Sequence, residues 1–288
     1  MILKGVYTAL VTPFTNGNIA IEDFKRLISQ QINGGVDGIV VCGTTGESPV
    51  LTEDEFCSLL RTAVETSNGK IKVFAGVGSC QTEHAVKKTK LAHDIGVDGM
   101  LAVTPYYNKP TQIGLYQYYS EIAKNTDKPI MLYSVPSRTG VEIGVDTAMK
   151  LHDEFNNIVA IKEATENCSR VEKFSHKINH DFFVFSGNDS MTLPFMSLGA
   201  VGVVSVMSNL QPREMSNMVR LAYASDFRNA LSVYHSMLPT ISKLFIETNP
   251  LPVKFLLKQA GIITSDECRS PLGQLSEASK KSLMTLVA

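Results

Sequence analysis

The sequence around Lys162 indicates that this lysine could act as a nucleophile. The apolar run Ile158-Val159-Ala160-Ile161 leads straight into Lys162 and is bounded by polar residues. A short continuous apolar run of this kind is typical of a strand buried on both faces. Burial lowers the pKa of a lysine, and a neutral amine can attack a carbonyl carbon to form a Schiff base. The alternative is a lysine that caps its strand and extends into water.

A second polar group follows another apolar run. In Gly43-Thr44-Thr45-Gly46-Glu47-Ser48, two glycines flank two threonine hydroxyls. Glycine allows backbone N–H groups to approach a ligand closely, and successive N–H groups in a turn form an anion site that suits a carboxylate. Thr44 and Thr45 are therefore candidate ligand contacts. An ordinary tight turn before a helix is the alternative.

Phenol and guanidinium groups follow two further runs. Tyr106 and Tyr107 lie between two prolines, and Tyr133 ends an apolar run that leads to Arg138. A tyrosine at a strand end points towards the mouth of a barrel, and the arginine fork suits a substrate carboxylate. Packing tyrosines and a surface arginine are the alternatives.

Two more segments complete the set. Gly187, in Ser186-Gly187-Asn188-Asp189, leaves room for a substrate close to the backbone. Val204, in Gly202-Val203-Val204-Ser205, is a candidate wall for a small substrate that carries a methyl group. These candidates matter jointly only if one fold brings them to the same face.

The apolar runs predict such a fold. Eight strand candidates recur at even spacing with helical patterns between them: Val6–Val11, Gly38–Cys42, Lys72–Val77, Gly99–Val103, Ile130–Tyr133, Ile158–Lys162, Phe182–Phe185 and Val201–Val206. Alternating strands and helices predict a parallel sheet, and eight units predict a (β/α)8 TIM barrel of the α/β class. A doubly wound sheet is the rival, but its usual Gly-x-Gly-x-x-Gly turn is missing after the first strand. Barrel enzymes place their sites at the carboxyl ends of the strands, where all these candidates lie.

The last part of the sequence looks wholly helical. Helical patterns cover 226–246, 252–260 and 276–286. We therefore predict a catalytic barrel over residues 1–225 and a C-terminal helical appendage over residues 226–288.

Composition narrows the class of protein. The chain of 288 residues is 44% hydrophobic and 19% charged with a net charge of −1, which suits a large α/β core and argues against nucleic-acid or membrane partners. Five cysteines without a Cys-x-x-Cys pair favour reduced thiols in a cytoplasmic protein. There is no His-Glu-x-x-His motif, so we predict no metal site.

Four motifs resemble those of the dihydrodipicolinate synthase family, also called 4-hydroxy-tetrahydrodipicolinate synthases. They are Gly43-Thr44-Thr45-Gly46-Glu47-Ser48, Thr104-Pro105-Tyr106-Tyr107-Asn108-Lys109-Pro110, Tyr133-Ser134-Val135-Pro136-Ser137-Arg138-Thr139-Gly140 and Ile161-Lys162-Glu163-Ala164-Thr165. The resemblance extends to Asn249-Pro250-Leu251-Pro252-Val253-Lys254 and covers essentially the whole chain. It implies a lyase of lysine and diaminopimelate biosynthesis that condenses pyruvate with L-aspartate 4-semialdehyde and needs no cofactor.

The resemblance also implies roles for the candidate residues. Lys162 would form the Schiff base with pyruvate, and Tyr133 would donate and accept the proton. Thr44 and Tyr107 would relay that proton towards solvent, with the tyrosine supplied by a neighbouring subunit of a homotetramer built as a dimer of dimers. The substrates would be held by the remaining residues: pyruvate by Thr45 and the backbone near Val204, and the semialdehyde carboxylate by Arg138.

Departures from the family pattern concern detail. Ser134 stands where the family usually has asparagine, which is expected to loosen the loop that holds Arg138. Lysine-inhibited members use a cluster at the dimer interface, and Ser48 and Tyr106 match it. The other positions carry different residues here: Glu53, Phe56, Cys80 and His84. Because these side chains cannot make the same polar contacts, we predict weak or absent inhibition by lysine.

Three other functions remain as alternatives. N-acetylneuraminate lyase and 2-keto-3-deoxy sugar acid aldolases share the lysine and the tyrosine, but Arg138 fits a substrate carboxylate better than a sugar. A non-catalytic pyruvate-binding paralogue is possible, although Thr44, Tyr107, Tyr133 and Lys162 are all present. A metal-dependent aldolase lacks a suggestive His/Asp/Glu cluster.

Overall fold

The computed structural model describes residues 3–177 and 181–286. Its centre is a closed barrel of eight parallel strands. In chain order these are β1 (Gly5–Ala9), β2 (Gly38–Val41), β3 (Lys72–Gly76), β4 (Gly99–Val103), β5 (Ile130–Ser134), β6 (Ile158–Glu163), β7 (Phe183–Ser186) and β8 (Gly202–Ser205). Consecutive strands pair with one another, and β8 closes the barrel against β1. The (β/α)8 barrel predicted from the apolar runs is confirmed.

Helices surround the barrel and continue beyond it. They are α1 (Ile21–Gly34), α2 (Glu53–Ser67), α3 (Thr82–Ile95), α4 (Gln112–Ala123), α5 (Pro136–Thr139), α6 (Val145–Glu154), α7 (Cys168–Lys177), α8 (Thr192–Ser197), α9 (Pro212–Tyr223), α10 (Phe227–Lys243), α11 (Leu251–Gln259) and α12 (Glu277–Met284). The last three correspond to the helices predicted after residue 225. In the part of the chain described, no helix combines the length and apolar character that crossing a membrane requires.

Large and small residues interlock inside the barrel. The ring of Tyr7 packs edge-on against Phe74 and Phe185, with centroids 5.2 and 5.5 Å apart. The ring fits because the neighbouring strand has glycine at position 38, where a Cβ would lie 2.5 Å from Tyr7. Outside the strands, the apolar helix faces form a second and larger core. Apolar packing therefore fills the barrel interior, and the polar candidate residues lie at its carboxyl end.

Helix starts follow local sequence signals. Thr52 caps α2, and the Glu55 carboxylate accepts from the Thr52 backbone N–H at 2.9 Å, which completes the capping box that the sequence predicts. Pro212 opens α9 in the first turn, where its missing N–H costs little. A short hairpin, Phe14–Thr15 with Asn18–Ile19, was not predicted, and neither were the short helices α5 and α8.

The C-terminal helices share the core of the barrel. Met237 and Ile241 of α10 and Val253 of α11 belong to the same buried cluster as the barrel-side residues Val6 and Leu10. This packing brings the segment between α10 and α11 to the carboxyl ends of the strands.

Candidate active site

A cavity opens at the carboxyl ends of β5, β6 and β7. It is lined by Thr44, Thr45, Tyr133, Val135, Ser137, Arg138, Lys162, Ala164, Glu166, Gly187, Asn188, Ser190, Val206, Ile241, Ser242, Phe245 and Asn249. A second hollow shares Thr44, Tyr133 and Arg138 with it and extends towards Cys42 and Tyr106. Most of the residues singled out from the sequence therefore meet at one mouth of the barrel.

Lys162 lies next to Tyr133 in this cavity. The two residues are paired across β6 and β5, and Lys162 is only 5% exposed. Its Nζ lies 4.1 Å from the centroid of the Tyr133 ring. The alternative of a lysine that extends into water is therefore wrong, because the side chain stays within the barrel mouth.

Gly187 gives the lysine its space. A Cβ at this position would lie 2.9 Å from Cε of Lys162 and 2.7 Å from Cβ of Ala164. Since real Cβ atoms do not approach this closely, an alanine here would force the lysine or its neighbour to move. The Gly187 N–H donates to the Glu163 carbonyl at 2.7 Å, which fixes this close approach.

The turn at residues 43–48 carries, beside the cavity, backbone N–H groups without a protein acceptor in the described part of the chain. Thr44 and Thr45 line the cavity, and among the described residues neither of their backbone N–H groups donates to a protein acceptor. The turn is closed by the N–H of Ser48, which donates to the Gly43 carbonyl at 3.2 Å. Free N–H groups in a closed turn can bind an anion such as a carboxylate.

Asn249 is a site residue that the sequence reasoning missed. It lies between α10 and α11, is 6% exposed, and lines the cavity. Its Nδ2 donates to Oγ1 of Thr45 at 3.0 Å, and its backbone carbonyl accepts from Nη2 of Arg138 at 3.4 Å. Asn249 therefore connects the anion-binding turn to the candidate arginine. The only sequence signal was its membership in the Asn249–Lys254 motif.

A buried ion pair attaches the same turn to α11. Nζ of Lys254 on α11 donates to the carboxylate of Glu47, and both side chains are fully buried. The other Glu47 oxygen accepts from the Arg269 backbone N–H at 2.8 Å, and Nζ also donates to the Glu267 carbonyl at 2.7 Å. These bonds satisfy the charges and attach the C-terminal helices to the turn that carries Thr44 and Thr45.

A second buried pair lies behind the lysine. Glu163 follows Lys162 directly, is fully buried, and accepts from Nε and Nη2 of Arg170 at 3.0 and 2.9 Å. Both charge-assisted bonds converge on one carboxylate oxygen, Oε2, and leave Oε1 to other donors. The pair fixes the end of β6 against α7.

Ser134 is the last residue of β5 and precedes the loop that carries Arg138. The Ser134 side-chain oxygen is buried without a hydrogen-bond partner among the described residues, so it does not fix that loop.

The Cys42 thiol lines the second hollow. Burial raises the pKa of the Cys42 thiol to about 12, which keeps it protonated near neutral pH. Cys42 therefore offers no thiolate nucleophile near neutral pH.

Two candidates lie outside the cavity lining. Val204 is buried in the barrel interior with Tyr7 and Phe74, and Val206 lines the cavity from the end of the same segment. Tyr107 is 90% exposed and lies outside the cavity of a single chain. Within the described residues no group of three or more His, Cys, Asp or Glu side chains could hold a metal ion.

Known proteins resemble this chain over its full length. The family model described as the dihydrodipicolinate synthetase family matches residues 2–288. The 4-hydroxy-tetrahydrodipicolinate synthase of Aquifex aeolicus is 45% identical over 280 residues, which cover 97% of this chain and 95% of the relative. The crystal structure of dihydrodipicolinate synthase from the same organism superposes with a TM-score of 0.97 at 44% identity and covers 99% of this chain and 97% of its own. A structure described as the first monomeric dihydrodipicolinate synthase variant has a TM-score of 0.96 at 40% identity, covering 99% of this chain and 95% of its own.

Proposed function

The chain belongs to the dihydrodipicolinate synthetase family, and on this basis we propose that it condenses pyruvate with L-aspartate 4-semialdehyde to give 4-hydroxy-tetrahydrodipicolinate. The enzyme is a lyase of lysine and diaminopimelate biosynthesis. One observation carries the chemistry: the amine of Lys162 lies within the cavity, beside Tyr133. A nucleophilic amine next to a phenol is the arrangement that Schiff-base formation requires.

The first step is the capture of pyruvate. The Lys162 amine adds to the keto carbon, and the hydroxyl of this adduct leaves as water with one proton that Tyr133 donates, which gives a positively charged iminium. Thr45 and the free backbone N–H groups of its turn hold the pyruvate carboxylate. Gly187 and Val206, which both line the cavity, form the wall beside the methyl group. The support for this step is the shared cavity and the close approach of Gly187 to the lysine side chain.

Tyr133 then moves the protons. It accepts a methyl proton from the iminium, which turns the adduct into an enamine, and it donates in the later steps. A phenol is a weak acid at neutral pH and therefore needs a partner that takes up or supplies the proton. Thr44, which lines both hollows with Tyr133, can donate and accept at once and so relays the proton to Tyr107.

The enamine carbon next attacks the aldehyde carbon of the semialdehyde, and the new alkoxide takes a proton. Arg138 holds the substrate carboxylate at the mouth of the cavity. The amine of the bound semialdehyde then attacks the iminium carbon, which closes the ring and releases Lys162. The iminium itself withdraws the electrons, so the proposed reaction needs neither a metal nor an organic cofactor.

We also propose that the chain assembles into a homotetramer arranged as a dimer of dimers. Tyr107 and Ile113 are 90% and 72% exposed, which is unusual for large apolar side chains and supports a partner surface beside the site. A neighbouring chain would then supply Tyr107 to the proton relay. Sedimentation velocity tests the assembly, and full activity in a monomer would contradict it.

The division at residue 225 stays a proposal. The barrel of residues 1–225 carries Lys162, while the helices of residues 226–288 complete its site through Asn249 and Lys254. We infer that the appendage supports catalysis and does not act as a separate binding module.

Assays with purified protein decide between this function and its alternatives. Pyruvate is supplied with L-aspartate 4-semialdehyde or, separately, with sugar aldehydes such as N-acetylmannosamine. We expect condensation with the semialdehyde alone, because its carboxylate matches Arg138. Preference for a sugar aldehyde would favour a sugar acid aldolase, which the names of the relatives reported above disfavour. Absence of any turnover despite pyruvate binding would favour a non-catalytic paralogue.

A further inference from the structure

Two opposite charges line the cavity without pairing. Arg138 and Glu166 both belong to its lining and both are exposed. Among residues 3–177 and 181–286, neither side chain takes part in an ion pair, so their charged atoms lie more than 4.0 Å from each other. A carboxylate and a guanidinium held apart at one mouth leave room for a ligand that carries both charges.

The backbone around Glu166 is held in place from beneath. Glu163 is locked by Arg170, and its free oxygen accepts from the Thr165 backbone N–H at 3.0 Å. The Thr165 hydroxyl in turn accepts from the Asn167 backbone N–H at 3.3 Å. Hydrogen bonds therefore hold the backbone on both sides of Glu166, close to the end of β6 that carries Lys162.

The chemistry of the second substrate asks for a group of this kind. L-Aspartate 4-semialdehyde carries a carboxylate and an ammonium on one carbon, and Arg138 accounts only for the carboxylate. Glu166 is the one acidic side chain among the described residues that line the cavity. The side-chain oxygen of Asn188 is already used, since it accepts from the N–H and the hydroxyl of Ser190.

We propose that Glu166 binds the α-ammonium of the semialdehyde, an inference that rests on the proposed function. Glu166 would thereby select an amino-acid aldehyde over the same aldehyde without an amino group. The charge-assisted contact orients the amine on the side of the cavity that faces the Lys162 adduct. Glu166 is thus a specificity-determining residue, and it complements Arg138.

The test compares Glu166→Gln with the unaltered protein. The change keeps the shape of the side chain and removes its charge. We expect the KM for L-aspartate 4-semialdehyde to rise roughly tenfold, as for a lost hydrogen bond to a charged group. The KM for pyruvate should stay unchanged. Glu172→Gln is the matched control, because Glu172 is an exposed glutamate on α7 that does not line the cavity.

A second probe separates recognition from a structural effect. 4-Oxobutanoate is the same aldehyde without the amino group and competes with the semialdehyde for the pyruvate-loaded enzyme. We expect Glu166→Gln to leave its inhibition constant unchanged or to lower it, and Glu166→Asp to recover part of the lost semialdehyde affinity. An equal loss for both aldehydes, or no loss for either, would overturn the inference. Failure of the unaltered protein to turn over the semialdehyde would instead contradict the proposed function and this inference together.

Discussion

Nζ of Lys162 lies 4.1 Å from the centroid of the Tyr133 ring, and the two residues face each other across paired strands. Because both positions are backbone neighbours in the barrel, their separation is set by the sheet and not by a mobile loop. The proposed nucleophile and its proposed proton-transfer group therefore reach the site on rigid elements, which is where precise catalytic geometry is best maintained.

Removing the phenol oxygen alone tests the role of Tyr133. Tyr133→Phe keeps the ring beside Lys162 and deletes the proton-transfer group. We expect kcat to fall by about 10²- to 10⁴-fold, the usual contribution of a positioned acid–base group. Steady-state kinetics measures the loss, and Tyr223→Phe, at a half-exposed tyrosine outside the cavity, is the control. A kcat close to that of the unaltered protein would remove Tyr133 from the mechanism.

The space at Gly187 predicts a specific loss of activity. Gly187→Ala places a Cβ 2.9 Å from Cε of Lys162 and 2.7 Å from Cβ of Ala164, so the lysine side chain or the backbone beside it must move. We expect kcat to fall by up to about 10²-fold for a shift near 1 Å, with about 1–3 kcal/mol lost from the free energy of unfolding.

Gly69→Ala is the control for this change in stability. Gly69 has φ +71° with no atom within 4 Å of an added Cβ, so alanine strains only the backbone. It should lower the unfolding free energy without changing kcat. Equal kcat values for the two variants would show that the contact with Lys162 has no catalytic consequence.

The sequence predicted the barrel and the centre of the site for identifiable reasons. Each strand is a short apolar run, and Lys162 and Tyr133 stand at the ends of two such runs, so topology alone brings them together. Asn249 and Lys254 were not assigned a role because their partners, Thr45 and Glu47, are more than 200 residues away in the chain. Contacts at that separation depend on the packing of the C-terminal helices, which no local pattern encodes.

The buried pair between Lys254 and Glu47 should matter for both stability and binding. Lys254→Met leaves the Glu47 carboxylate without its cation, and breaking such a buried pair costs about 3–5 kcal/mol of unfolding free energy. Since Glu47 belongs to the turn that carries Thr45, we also expect the KM for pyruvate to rise. Urea denaturation and steady-state kinetics measure the two effects.

Lys258→Met is the matched control on the same helix. Lys258 pairs with Asp266 at a partly exposed position, so its loss should change stability by about 0.5 kcal/mol or less. The double variant Glu47→Gln with Lys254→Met should be more stable than Lys254→Met, because no unpaired buried charge remains. A Lys254→Met protein as stable as Lys258→Met would contradict this account.

Inhibition by free L-lysine should be weak or absent. Nζ of Lys88 donates to Oγ of Ser48 at 3.2 Å and lies 5.4 Å from the Phe56 ring centroid, so an ammonium of the chain already occupies this cluster. Burial, with Lys88 and Lys87 nearby, lowers the pKa of His84, which favours the uncharged imidazole, and an imidazole cannot pair with an ammonium as a carboxylate does. Initial rates across a lysine titration test this prediction, and strong inhibition at low lysine concentration would refute it.

Borohydride reduction in the presence of pyruvate tests the central claim most directly. Reduction traps an iminium as a stable secondary amine, and mass mapping of the peptides then identifies the modified lysine. We predict a pyruvate-derived adduct on Lys162 in the unaltered protein and in a Lys173→Arg control, and none in Lys162→Arg. An adduct on another lysine, or no adduct at all, would contradict Schiff-base catalysis at the end of β6.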